Sequence, residues 1–159
     1  MKKIASFLFV AFALASCSEE INRPNPALQG WKDDVFWRAI DAKATLATNG
    51  SIIITGLTQN ETLTLQTHNS NPGTYALGTS ENRKASYLYE KDGETLFHTT
   101  GVGLGDGEIK IEEYDTENKT ITGTFRFNAI NVDENPLGGE ILNYQYGRFY
   151  KLPVVPELF

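Results

Sequence analysis

Along most of this chain an apolar side chain stands at every second position, and that period of two restricts the body to extended strands. The run "ETLTLQT" sets Leu63 and Leu65 on one face, with Thr62, Thr64 and Thr67 close by. "ASYLYE" sets Ala85, Tyr87 and Tyr89 on one side, and "EIKIEEY" opposes Ile109 and Ile111 to Lys110 and Glu112. "TITGTFRFNA" aligns Ile121, Gly123, Phe125, Phe127 and Ala129. The last long run, "ILNYQYGRFYKL", holds Leu142, Tyr144 and Tyr146 in step, with Gly147 placed to bulge the strand and shift its face. Asn49-Gly50 introduces the β-branched run "SIIITGLT", and Lys91-Asp92-Gly93 suits a tight hairpin, because glycine accepts positive φ. The pattern predicts an all-β domain, an antiparallel sandwich or barrel of about eight or nine short strands. The stretch Trp31 to Phe36 leaves room for a short helix, and no amphipathic helix is read elsewhere in the domain. Phe125, Phe127 and Tyr75 are expected in the core, where a small sandwich needs inward aromatics.

The first twenty residues obey a different logic. Lys2 and Lys3 precede an apolar run from Ile4 to Ala15, broken only by Ser6, and small residues lead into Cys17. That order describes a secretory signal peptide, and the run is shorter than the roughly 20 apolar residues of a spanning helix. "LASC", Leu14 to Cys17, resembles a bacterial lipobox. The resemblance implies cleavage between Ser16 and Cys17 and a diacylglycerol on the Cys17 thiol. Cys17 is the only cysteine, so no disulfide can form within the chain. Two other readings stay open: ordinary cleavage that leaves a free thiol, and an uncleaved anchor. Ser18, Glu19 and Glu20 are similar to the short acidic signal that sends lipoproteins of Bacteroidota to the cell surface, and equally suit a solvated tether. "INRPNPALQG" then reads as a semi-extended spacer. The expected organisation is a leader over 1–16, a lipidated tether over 17–33, one all-β domain over 34–153 and a tail over 154–159.

Several segments recur together in one family. "FWRAIDA", "SIIITG", "NPGTYALG", "GDGEIKIEEYD", "ITGTFRFNA" and the closing "GRFYKL" resemble, in this order, a group of small Bacteroidota lipoproteins with a domain of unknown function. Ala42 departs from the pattern where a turn glycine is commoner, and "NYQYGRF" is an irregular closing strand. The resemblance implies a fold and a compartment, and no activity.

Charge narrows the partners. Loss of Lys2 and Lys3 with the leader takes the formal charge from −6 to −8, which disfavours nucleic acid and generic adhesion to anionic lipid. The membrane is expected as a partner only through the covalent lipid on Cys17. Catalytic patterns are missing: there is no G-x-S-x-G and no S-x-x-K, and the histidines are His68 and His98. No H-E-x-x-H is present, so no zinc site, other metal or cofactor is expected. Acidic loops at Asp106 and Glu108, at Asp115, Glu117 and Asn118, and at Asp133, Glu134 and Glu140 offer the oxygen ligands that calcium takes, which stays open, but none matches an EF-hand loop and ordinary acidic turns account for them. "GVGLGDG", Gly101 to Gly107, departs from G-x-G-x-x-G and reads as a flexible hairpin connection.

The expected function is therefore a lipid-anchored envelope protein, in the outer membrane and facing periplasm or medium, with a non-catalytic binding or accessory domain. A glycan or an envelope protein is the natural partner class, with Trp31, Trp37, Tyr87, Tyr89, Tyr144, Tyr146 and Tyr150 supplying aromatic area. Two alternatives stand beside it. A barrel cavity lined by Phe and Tyr would make an apolar-ligand carrier. His68 or His98 converging with a serine and a carboxylate would make a small hydrolase.

Overall fold

The computed structural model describes residues 27–133 and 135–158. The leader, Cys17 and its acidic followers, and Glu134 lie outside the described residues. Eleven strands form a single sheet. The first three are β1 (Ala27–Lys32), β2 (Val35–Arg38) and β3 (Asp41–Leu46). Then come β4 (Ile52–Leu57), β5 (Glu61–Thr67), β6 (Gly73–Leu77), β7 (Lys84–Lys91) and β8 (Glu94–Thr99). The long strands β9 (Asp106–Asp115), β10 (Thr120–Asn131) and β11 (Ile141–Pro156) complete it, with a 3-10 turn at Pro136–Gly138. No helix among the described residues is long and apolar enough to cross a membrane.

The sheet closes because β10 and β11 each serve two neighbours along one edge. On the side away from β10, β11 pairs with β1 over Tyr144 to Tyr150 and with β3 over Val154 to Pro156. On the side away from β11, β10 pairs with β9 over Thr120 to Asn128 and with β8 at Ile130 and Asn131. The result is a flattened barrel with two broad faces. One is β2-β1-β11-β10-β9-β6, the other β3-β4-β5-β7-β8. Every pairing is antiparallel except β11 with β3, which is parallel, so the expected all-antiparallel sheet is corrected at that corner.

Four boundaries and counts differ from the sequence reading. The tether expected over 17–33 stops earlier, because Ala27–Lys32 is a strand paired on both edges. The helix open to Trp31–Phe36 is instead a two-residue hairpin, with Asp33 and Asp34 both at positive φ (46° and 64°). The tail expected over 154–159 is strand through Pro156, held by β3. The extra strands are short ones whose alternation is too brief to read, such as the four-residue β2.

Inside, the two faces meet in a filled core. Tyr144 is its centre, fully buried, with its ring 5.0 Å from Phe127, 5.8 Å from Trp37, 6.0 Å from Phe125 and 6.4 Å from Tyr87. Such offset and edge-on pairs add to the apolar burial of each ring. Phe125, Phe127 and Tyr75 are buried as expected. The alternation in β11 breaks twice: Leu142 and Tyr144 face in, then Gly147 and Phe149, then Leu152 and Val154. Each slip is a bulge whose extra residue has positive φ, Tyr146 at 52° and Lys151 at 45°. Tyr146, expected in step with Tyr144, therefore turns out to solvent and is 83% exposed.

Gly123 is where backbones come closest. A Cβ there would strike the Lys110 carbonyl of β9 and the Phe149 ring of β11. Gly123→Ala is expected to cost about 2 kcal/mol or more, since neither neighbour can give without breaking a ladder or the core. A lowered urea midpoint with an unchanged m-value would show it.

Candidate functional site

Three polar arrangements stand out, one closed and two at grooves. The first is a closed clasp between the two faces. Glu61 opens β5, and its Oε1 accepts from Lys32 Nζ on β1 and from Tyr87 Oη on β7 at 2.6 Å. Its Oε2 accepts from Trp37 Nε1 on β2 at 2.8 Å and from Thr58 Oγ1 at 2.9 Å. Lys32 Nζ also donates to Tyr87 Oη at 2.8 Å and lies 4.6 Å from the centre of that ring. Four donors therefore satisfy one carboxylate, with the Lys32 and Glu61 side chains 22% and 17% exposed. Burial pushes the Glu61 carboxyl up, but the bonds from Lys32, Tyr87 and Thr58 and the Lys32 charge outweigh it and hold it below its ordinary value. Burial and the bond to Glu61 push the Tyr87 phenol upward. Burial does the same to Tyr144, whose hydroxyl is buried without a partner.

The second arrangement tests hydrolytic chemistry. Ser51 and His68 line one small polar groove of about 140 Å³ with Asn49, Gln66 and Asn82. Ser51 Oγ donates to Asn49 Oδ1 at 2.7 Å rather than to the imidazole, and no carboxylate is among the lining residues. His68 instead packs edge-on against Tyr75, 5.2 Å away. His98 is buried in β8, with Nε2 3.0 Å from the Gly138 carbonyl and Nδ1 unpartnered. A carbonyl can only accept, so Nε2 carries the proton. Of the acidic loops, one caps a turn and one makes cross-strand contacts. Asp115 accepts from the backbone of Glu117 and Asn118 and from the Asn118 amide, and the Asn118 bonds hold its carboxyl below its ordinary value. Asp106 accepts from Asn128, and Glu108 pairs with Arg126. Among the described residues no three of His, Cys, Asp or Glu converge as metal ligands.

The third is the outer side of β2-β1-β11. Trp37 points inward from β2, so Phe36 and Arg38 point out, and Leu28 inward from β1 leaves Ala27, Gln29 and Trp31 outward. Gln29 pairs in register with Arg38 on one side and with Arg148 on the other, so the three form one row across the strands. Ala27, Gln29, Arg148 and Tyr150 line a groove of about 330 Å³. The Tyr150 ring centre lies 5.7 Å from the Arg148 guanidinium and 5.6 Å from Lys151 Nζ. In the next row Trp31 and Phe36 pair edge-on at 6.1 Å, and they are 45% and 53% exposed. Of the seven aromatics expected to supply binding area, Trp31, Tyr146 and Tyr150 are exposed, whereas Trp37, Tyr87 and Tyr144 are core and Tyr89 packs partly buried against it. Phe36, Arg38, Gln29 and Arg148 escape a reading of the sequence, because only strand register brings them together.

The family model for a domain of unknown function (DUF6252) matches residues 24–153. The match reaches back before residue 34, in keeping with a domain that takes in β1. No curated protein and no solved structure matches the chain.

Glu61→Gln removes the charge and leaves Lys32 in a half-buried site without its counter-ion, at an expected cost of about 2 kcal/mol. A carboxyl with a depressed folded pKa contributes stability above its unfolded value, ordinarily 4.5, and loses it as pH falls through the lower folded value. Urea midpoints measured from pH 7 down to pH 3 are therefore expected to fall less steeply in the Gln variant than in the parent.

Proposed function

The chain belongs to the DUF6252 family, and we propose that it is a lipid-anchored cell-envelope protein whose all-β domain is a non-catalytic binding or accessory module. The anchor is a diacylglycerol on Cys17 after cleavage behind Ser16, in the outer membrane, with the domain in the periplasm or at the surface. The lipobox-like "LASC" behind a basic start and a short apolar run supports the anchor. Ser18, Glu19 and Glu20 support export to the surface in the same degree as they support a plain tether.

The observation that carries the binding role is the contrast between inside and outside. Tyr144, Phe125, Phe127, Phe149 and Tyr87 fill the interior, which weighs against a carrier. Ser51 engages Asn49 and not His68, which weighs against a hydrolase. The outer side of β2-β1-β11 keeps aromatic rings and guanidinium groups exposed at a formed groove, and concave sites with a few placed polar groups are where ligands bind.

Two acyl chains hold a protein stably to a bilayer, whereas the acidic domain alone does not. The protein is expected in the detergent phase of a cloud-point partition of whole cells, and the chain from Ser18 onward, secreted behind an ordinary cleavable leader, is expected in the aqueous phase. Protease added to intact cells distinguishes the two faces of the membrane. Recovery of that shortened chain in the detergent phase would reject the anchor.

A further inference from the structure

The row Arg38–Gln29–Arg148 sits oddly on an acidic protein. Among the described residues the ion pairs are Lys32–Glu61, Lys84–Glu81, Lys110–Glu112 and Arg126–Glu108, so neither Arg38 nor Arg148 has a carboxylate partner. Adjacent strands lie about 4.8 Å apart, which sets the backbones of these two arginines about 10 Å apart, with the Gln29 amide between them. A guanidinium presents a planar fork of donors that matches a carboxylate or a sulfate, and an amide both donates and accepts. Exposed aromatic side chains flank the row on both sides: Tyr150 in the groove, Trp31 and Phe36 beyond.

We propose that this face binds an anionic glycan. Arg38 and Arg148 pair with acid groups along the sugar chain, Gln29 bonds hydroxyls between them, and the Tyr150 ring and the Trp31–Phe36 pair stack on the apolar faces of the sugars. The proposal rests on the domain being a binding module and names its ligand class. A linear polymer fits better than a flat anionic membrane. Across the same sheet, β9 exposes Lys110, Glu112 and Glu113, with Lys110–Glu112 and Arg126–Glu108 ion-paired, so the cations there are already neutralised and Glu113 would oppose an anionic plane laid over the face. A chain confined to β2, β1 and β11 does not meet it.

The experiment is affinity electrophoresis and titration calorimetry of the purified mature chain in neutral detergent. The probes are polygalacturonate, its fully methyl-esterified form, dextran sulfate and neutral dextran. Retardation is expected with polygalacturonate or dextran sulfate and not with the neutral polymers, and it weakens as salt rises. The stronger of the two tells carboxylate from sulfate. Arg148→Gln and Arg38→Gln are each expected to weaken binding about tenfold, and Tyr150→Ala several-fold. All three side chains point to solvent, and circular dichroism checks that the variants fold. Three results would overturn the proposal: no retardation by either anionic polymer, equal retardation by the neutral ones, or phosphatidylglycerol vesicles bound as tightly by the chain from Ser18 onward, which lacks the acyl anchor, with no effect of Tyr150→Ala. A detergent-phase protein that ignores all four polymers would sink this inference alone and leave the anchored-module reading standing.

Discussion

The carboxylate of Glu61 is the interaction that ties the β1-β2 hairpin down across the closed sheet. The β1-β2 hairpin pairs with the rest of the sheet along β11, and just beyond it Ile40 donates to the Leu57 carbonyl of β4; the Glu61 clasp adds the side-chain hold between hairpin and opposite face. Lys32 and Trp37 reach across from that hairpin to Glu61, while Tyr87 and Thr58 hold the same carboxylate from the far side. A half-buried carboxylate is costly unless its lone pairs are met, and here each oxygen accepts two hydrogen bonds. With the hairpin so placed, Leu28 and Trp37 settle over Gly56, whose missing side chain leaves them room.

That closure decides where function can reside. Tyr144, the ring at the centre of the core, lies against Trp37 from the hairpin and against Phe125 and Phe127 from β10. The clasp and the core thus use up the inward side chains, including Trp37, Tyr87 and Tyr144, three of the seven aromatics that the sequence offers as ligand-binding area. What is left is outside. The two bulges in β11 matter here, because each slip of one residue decides which side chains reach solvent. After the first bulge Arg148 points out beside Gln29, and the second bulge follows Tyr150 directly.

Much of the fold is legible in the sequence because period two survives in the long strands. The runs around Leu63, Ile109 and Phe125 each place their buried residues on the expected face. Asp92-Gly93 makes the tight β7-β8 turn its sequence announces, with both residues at positive φ. Asp33-Asp34 makes the same kind of turn without a glycine, since aspartate tolerates that region, and so the first hairpin passes for a tether. The parallel β3-β11 pairing joins segments more than a hundred residues apart and leaves no local trace. The outer row is hidden for the same reason: Gln29, Arg38 and Arg148 are ordinary surface residues until register aligns them. Glu61, too, is a lone acid at a strand start, and its partners come from three other strands and a turn. The proposed lipid site is the reverse case, a short local motif whose residues lie outside the described structure.

A filled interior and an acylated Cys17 can be read in one measurement. Native mass spectrometry of the protein, taken from its own membrane in mild detergent, reports the mature chain and anything held within it. The expected result is a mass that begins at Cys17 with its acyl groups and no retained small molecule, the same before and after denaturation. An unmodified cysteine would contradict the anchor. A stoichiometric apolar molecule released only on unfolding would contradict the filled interior and make the protein a carrier.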